Sequence, residues 1–415
     1  MQEARFVFVM GGEFEPTVID SQVVDAIAAL EPEGIRLDLL LLMHGGVMTG
    51  KLRENLARRA EVARRISGRV EIIPVPRQGL RTGLVLGAAA LALDMALHPA
   101  RRTIFHGRGE LVSSFAAVVR RRLRSVRMVY DARGDSVAEQ LMYAERQGIP
   151  PERAELAHQF ERARRLSVDH ADHVFCVSTV LRDRLRTLYG LPEDRFTVVP
   201  CVADPAKFHA DEAERATLRR DLGIEDRFVV VYPGRLGRWH EGERVFELVR
   251  ALAEKRADVY FLVLTPDVEE ACALAATTLP AGRWSVTRAA HSEVPRYLRA
   301  SDLGILIRER HPLNEVACPT KFAEYVMSGL PVLISEGIGD CTRFVRDHRA
   351  GVVLERNEPA LAVAGVEALR VEDAVERRRR VAAAAQGFRR DRAAREMAAV
   401  YRHLASAEEP SRTSR

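Results

Sequence analysis

Short aliphatic and β-branched runs alternate with longer helical patterns along nearly the whole chain, and that rhythm leaves few folds open. In the first half the runs are Arg5–Met10, Arg36–Leu42, Val70–Ile73, Thr103–Phe105, Met128–Tyr130, His173–Val177 and Thr197–Val199. Helical patterns separate them, as at Asp20–Leu30, Leu52–Ile66, Gly83–Leu97 and Pro151–Val168. Strands joined by helix-length crossovers pair in parallel, and such crossovers are right-handed. A polar stretch, Ala203–Asp226, precedes a second series: Phe228–Tyr232, Val259–Leu264, Trp284–Thr287, Leu303–Ile307, Pro331–Ile334 and Gly351–Leu354. With 415 residues the chain exceeds one ordinary core, so the pattern predicts two doubly wound α/β domains in tandem, 1–205 and 206–385. A long arginine-rich helix is predicted over Val371–Leu404, and 406–415 reads as a disordered tail with almost nothing to bury.

Composition removes several function classes. The net charge of +5 is small for this length and the basic residues are interleaved with acids, which argues against a nucleic-acid binder. The five cysteines, Cys176, Cys201, Cys272, Cys318 and Cys341, are scattered and lack Cys-x-x-Cys spacing. That indicates neither a disulfide framework nor a zinc site and fits a reducing cytoplasm. Gly83–Leu97, the longest apolar stretch, is interrupted by Asp94 and falls short of a membrane span, so it reads as a buried helix. The start of the sequence has no signal-peptide layout. Arg377–Arg380, with Arg389, Arg390, Arg392 and Arg395, reads as a solvated face, with weak contact to anionic lipid as the alternative.

Ligands of open parallel sheets bind beyond the carboxyl ends of the strands, where tight turns and helix N-termini expose backbone N–H groups. After the first run come Gly11 and Gly12, which permit a tight turn or close ligand approach. The fourth run leads into His106-Gly107-Arg108 and the fifth into Asp131-Ala132-Arg133. His106 could orient a hydroxyl or carry a proton. Asp131 and Arg133 could act on a substrate or simply pair with neighbours to fix the loop. In the second half, Gly234-Arg235-Leu236-Gly237-Arg238 follows a strand, and a forked arginine cation beside glycine suits phosphate oxygens. A polar loop through Ala317 and Cys318 meets a helix predicted to begin near Pro319. Thr320 and Lys321 fall in its first turn, and Lys321 and Glu324 share one face. The cation suits phosphate and the carboxylate suits ribose hydroxyls, while an intrahelical ion pair is the simpler alternative.

Lys321-Phe-Ala-Glu-Tyr-Val-Met-Ser-Gly-Leu-Pro331 resembles the signature helix of GT-B glycosyltransferases, especially glycosyltransferase family 4. Val177-Ser178-Thr179 resembles the family's valine-serine segment, Val199-Pro200-Cys201-Val202-Ala203-Asp204 its interdomain stretch, and Gly234-Arg235-Leu236 its phosphate-contacting turn. Tyr297–Asp302 resembles its entry to the donor strand. The landmarks keep the family's order over most of the chain. Three positions depart: Val316 stands where the first of two family glutamates is common, with Glu315 displaced by one; His240 replaces a lysine; and Cys201 replaces an asparagine.

The resemblance implies two Rossmann-like domains facing a cleft, the first binding acceptor and the second a nucleotide-diphosphate sugar, with residues 386–405 packing back on the first domain. It implies a transferase with no obligatory metal or resident cofactor, acting with retention on a sugar, lipid-linked or small-molecule acceptor. Glu324 would hold ribose, and Arg235 with Lys321 would lie near the diphosphate. N–H groups around Ala317 and Cys318 would face sugar or phosphate, and His106 or Arg108 would lie near the reacting carbon. The alternatives are a nucleotide-sugar epimerase, a sugar phosphorylase, or a catalytically silent binding subunit.

Overall fold

The computed structural model describes residues 2–12, 19–44, 51–75, 80–237 and 241–406. All thirteen expected strands form, in two separate parallel sheets. The first contains β1 (Gln2–Gly11), β2 (Leu37–His44), β3 (Val70–Val75), β4 (Ala100–Arg108), β5 (Val126–Ala132), β6 (His173–Cys176) and β7 (Phe196–Val198). Their spatial order is β3-β2-β1-β4-β5-β6-β7. The second contains β8 (Phe228–Pro233), β9 (Val259–Leu264), β10 (Trp284–Thr287), β11 (Leu303–Leu306), β12 (Val332–Ser335) and β13 (Gly351–Leu354), in the order β10-β9-β8-β11-β12-β13. Every residue of β5 and of β8 is buried, as expected of strands in sheets covered by helices on both faces.

Each sheet has one place where its strand order reverses. In the first it lies between β1 and β4, whose register pairs Val7 with Phe105 and Val9 with Gly107. In the second it lies between β8 and β11, where Val230 faces Leu303. At such a point two consecutive loops diverge and leave a crevice beyond the strand ends.

The compact units are Met1–Pro200 with Asp391–Arg415, and Cys201–Arg390. The division therefore falls a few residues from the positions 205 and 385 expected from sequence. Helix Arg390–Ser406 is held in the first unit by Tyr401, which contacts Phe6 and His106, and by Arg102, which donates to the Ala405 carbonyl. Residues 407–415 and Arg238, Trp239 and His240 lie outside the described residues.

Two expectations are corrected. The arginine-rich segment is not one helix: Ala374–Ala384 ends in a 3₁₀ turn, Ala385–Phe388, and Arg389 is extended. There the backbone turns to pair with Ala203, whose N–H bonds the Phe388 carbonyl at 2.9 Å and whose carbonyl accepts from Arg390 at 3.1 Å. Its arginine run is a solvated face only in part, with Arg379, Arg392 and Arg395 exposed. Arg377 and Arg378 are buried, Arg378 bonds Glu212 at 2.7 Å, Arg390 bonds Asp204 at 3.1 Å, and Arg392 and Arg395 pair within their own helix.

The second correction concerns helix Leu80–Leu97. It was expected to be buried, yet Val85, Leu86, Leu93 and Leu97 are exposed while Ala88 and Leu91 face the core.

Candidate active site

In the first unit the loops beyond β1 and β4 carry the residues singled out from sequence. Gly11 packs against the helix Glu110–Arg122 so closely that a Cβ would lie 3.1 Å from Val112 Cγ2, and Gly12 has φ +120°. The accompanying Glu13–Pro16 stretch falls outside the described residues.

At the ends of β4 and β5 the ionisable groups gather around one carboxylate. Asp131 lies 3.3 Å from Arg108, 3.4 Å from His106 Nε2 and 3.7 Å from Arg133. Burial alone would raise its carboxyl, but the charge of Arg133, together with His106 and Arg108, outweighs this and holds it well below the usual carboxylate range. Arg133 also donates to the Val199 carbonyl at 2.9 Å, fastening the loop to the segment after β7. Pairing with neighbours, the simpler of the two readings of Asp131 and Arg133, is therefore present.

His106 is not an open group. It is 1% exposed, stacks on Phe8 at 4.3 Å, and its Nδ1 meets the Tyr401 hydroxyl at 2.6 Å. Burial lowers its basicity, and Arg108 and Arg133 lower it further against the pull of Asp131. The expectation that it touches an acceptor hydroxyl is corrected, because helix Arg390–Ser406 supplies the tyrosine that covers it. Local sequence around His106 contains no trace of a residue nearly three hundred positions away.

The second unit is arranged differently. Beyond β8, Gly234 takes φ +125° and its N–H bonds the Leu264 carbonyl at 2.8 Å. A Cβ there would stand 3.0 Å from Lys321 Nζ, so glycine leaves space above the lysine. Tyr232 steadies the turn by donating to the Arg235 carbonyl at 2.6 Å and places its ring 4.4 Å beneath the ammonium.

Lys321 opens the helix Thr320–Met327, whose first N–H groups have no carbonyl of their own helix to bond. Pro319 is the residue before the first helical position, one place from where a helical proline was expected. Lys321 Nζ is buried without a hydrogen-bond partner. Burial, reinforced by the charge of Arg308 and only partly opposed by Glu324, pushes its pKa down to about 7. Arg308 likewise has a buried, unpartnered Nε, while its Nη1 is held at 2.9 Å by Asn314. The intrahelical pair of Lys321 with Glu324 does not form. Glu324 is 6% exposed and bonds His291 Nε2 at 3.0 Å.

The remaining donor-side residues divide. Arg235 extends to solvent, 72% exposed at its side chain, tethered by Asp267 at 3.1 Å. Thr320 is half-buried in the first turn. The Ala317 N–H is used internally, bonding the Asn314 carbonyl at 3.1 Å, so it does not face a ligand as expected. Cys318 is buried beside Cys201 and Cys341, and none of the five cysteines forms a disulfide.

Sequence reasoning missed Arg308, Asp267, Tyr232 and His291 as site residues. Arg308 stands two residues past the end of β11, a position that should have drawn attention. His291 carried no signal, since it enters through a loop remote from Glu324 in sequence. Among the described residues one group could hold a metal, His209, Asp211 and Glu214, with ligand atoms within 4.8 Å of one another. Two of its three members are already engaged: Asp211 caps a helix by accepting from the Glu214 N–H at 2.8 Å, and Glu214 binds Arg299 at 2.8 Å.

The family described as Glycosyltransferase Family 4 matches residues 21–207, and Glycosyl transferases group 1 matches residues 214–388. Between them they take in most of both units. This chain is a GT-B glycosyltransferase.

Solved structures with this fold include HepE from Anabaena, determined in complex with UDP, at 16% identity and TM-score 0.69, covering 96% of this chain and 100% of that one. Sucrose-phosphate synthase from Thermosynechococcus elongatus aligns at 15% identity and TM-score 0.68, covering 97% and 100%. WaaG, a glycosyltransferase involved in lipopolysaccharide biosynthesis, aligns at 14% and 0.62, covering 98% and 100%. No curated protein matches the sequence. At these identities the structures speak for the GT-B fold, and the two family matches speak for glycosyl transfer.

Proposed function

We propose that this glycosyltransferase moves a sugar from a nucleotide diphosphate to an acceptor hydroxyl, with the donor's diphosphate seated over Gly234 and Lys321. The observation that carries the reading is the buried Lys321 ammonium, which rests on the Tyr232 ring but has no hydrogen-bond partner, beneath the space that Gly234 leaves open. A buried cation without a partner is costly unless a ligand completes it. A diphosphate does so, taking charge-assisted hydrogen bonds from Lys321 and Arg308 and lying at the N-terminus of helix Thr320–Met327. Arg235 closes over it from the solvent side, and Glu324, already oriented by His291, accepts from ribose hydroxyls.

As the glycosidic bond lengthens, negative charge grows on the leaving diphosphate. Lys321, Arg308 and the helix N-terminus stabilise that charge in place, which supports transfer without an obligatory metal. The family resemblance implies retention, with the acceptor entering on the face that the diphosphate leaves. HepE has been determined with UDP-glucose, which makes UDP-sugars the first donors to try.

Thermal melting against UDP, GDP, ADP, CMP and dTDP, with and without magnesium, tests the donor site. A ligand that binds only the folded state raises the melting temperature. The expected result is a metal-independent rise with one nucleoside diphosphate, absent in Lys321→Met. No rise with any nucleotide in folded protein would remove the reading. Donor conversion without acceptor would instead show an epimerase, and the anomeric configuration of the transferred sugar tests retention.

A further inference from the structure

The first unit presents an apolar surface that the transfer reaction does not use. On helix Leu80–Leu97, Val85, Leu86, Leu93 and Leu97 are 65%, 40%, 61% and 65% exposed, and Ala89, Ala92 and Ala96 between them are exposed as well. At about 100° per residue these seven positions occupy one arc of roughly 140°. The opposite face turns Asp94 inward to bond Arg5 at 2.7 Å. An exposed, purely aliphatic stripe of this length marks a contact surface.

The stripe ends in a basic recess. The helix runs from the carboxyl end of β3 to the start of β4, so Leu97 arrives at the amino-terminal edge of the sheet, opposite the substrate loops. There Leu97, Arg5, Arg36, Arg69 and His98 line a cavity of about 350 Å³, with Asp38. Arg5 is spent on Asp38 and Asp94. Arg69 gives one nitrogen to Asp38 at 2.6 Å, but its Nη1 is buried and unpartnered. Arg36, at the entrance to β2, is exposed, and so is Arg101 at the start of β4 on the same edge. Three guanidiniums therefore face two carboxylates, leaving an unmet demand for an anion.

We propose that this face docks on an anionic phospholipid bilayer, with the Val85–Leu97 stripe entering the acyl boundary and the Arg36–Arg69 recess receiving lipid phosphate. Aliphatic stripe and cationic recess are contiguous through Leu97, which is the order of apolar and anionic groups in a phospholipid. A second copy of this chain is disfavoured as occupant, because a two-fold contact centred on the stripe would give the basic recess at its end no anion. The stripe also contains no aromatic side chain of the kind that anchors protein interfaces. Lipid contact thus moves from the carboxyl-terminal arginines, which are largely paired, to the amino-terminal unit.

Vesicle co-sedimentation of the full chain tests this, using phosphatidylcholine alone and phosphatidylcholine mixed with phosphatidylglycerol, at low and high salt. Binding is expected to the mixed vesicles, weakened about tenfold or more by high salt or by omission of the anionic lipid. Leu93→Asp with Leu97→Asp should abolish it, and Arg36→Gln with Arg69→Gln should remove the anionic preference. Leu97→Gln serves as a milder variant, and circular dichroism melting verifies that each protein is folded. Equal binding to both vesicle types, absence of binding, or retention by folded Leu93→Asp, Leu97→Asp protein would overturn the proposal. So would a dimer, formed without lipid, that Leu93→Asp disperses. Stabilisation by inorganic phosphate without vesicle binding would assign the recess to a soluble anion instead.

Discussion

Both units place charged side chains beyond the carboxyl ends of parallel strands, yet resolve them in opposite ways. Where β4 and β5 end, the Asp131 carboxylate stands within ion-pair distance of His106, Arg108 and Arg133, although His106 Nε2 is buried without a hydrogen bond. Where β8 and β11 end, Lys321 and the Nε of Arg308 are buried without partners, and the nearest acid, Glu324, is turned to His291. A carboxylate at the centre of buried cations makes a brace, whereas buried cations with no carboxylate bonded to them leave a demand for an anionic ligand. The same residue types thus report a scaffold in one unit and a binding site in the other.

The sharpest way to break that contrast is Asp131→Ala. Leaving buried cations without their counter-charge should cost about 3–5 kcal/mol of stability, read by urea denaturation. A variant as stable as the parent would show that the cluster is no brace. Lys321→Met should act in the other direction. Removing a buried unpartnered cation should raise the melting temperature of the unliganded protein, while nucleotide affinity measured by calorimetry falls by about 10- to 100-fold.

The pH dependence follows from the same lysine. In the free protein its pKa is about 7, and a bound diphosphate favours the charged form, so binding above that pH takes up a proton. Affinity should fall by up to about tenfold per pH unit above this value, and calorimetry in buffers of different ionisation enthalpy should detect the uptake. The sign for stability is opposite. The unfolded chain keeps this proton well into the alkaline range, so the lysine's contribution to unliganded stability improves as pH rises above about 7.

Gly234→Ala should have a smaller effect. A side chain at φ +125°, pressed 3.0 Å from Lys321 Nζ, should weaken nucleotide binding by about 1–2 kcal/mol. Arg235→Ala should be mildest in the unliganded protein, since its exposed pair with Asp267 contributes about 0–1 kcal/mol. A large loss of stability there would mean that the arginine is structural.

Much of this was legible in the residues themselves. Runs such as Phe6–Val9 and Val229–Val231 have no other economical use than buried strands, and their spacing dictates parallel crossovers. Gly234 could be found because it directly follows a strand, and Lys321 and Glu324 because they stand three apart on one face of a helix that a polar loop leads into. His291 could not, since it approaches Glu324 from a loop over thirty residues away, and Arg308 was passed over although it stands at a strand end. The Leu80–Leu97 helix misled for another reason: apolar residues surround its whole circumference, and composition cannot say which side a sheet will cover.

Sequence by itself determined the elements, their parallel order and the glycosyltransferase landmarks, because these rest on periodicities and short offsets carried by the covalent chain. Tertiary structure alone decided which charges are paired, that Tyr401 covers His106, that the arginine-rich segment breaks where Ala203 meets Phe388, and that one face of an apolar helix stays in water. Those outcomes depend on which distant segments become neighbours, and burial and charge pairing are properties of neighbours in space.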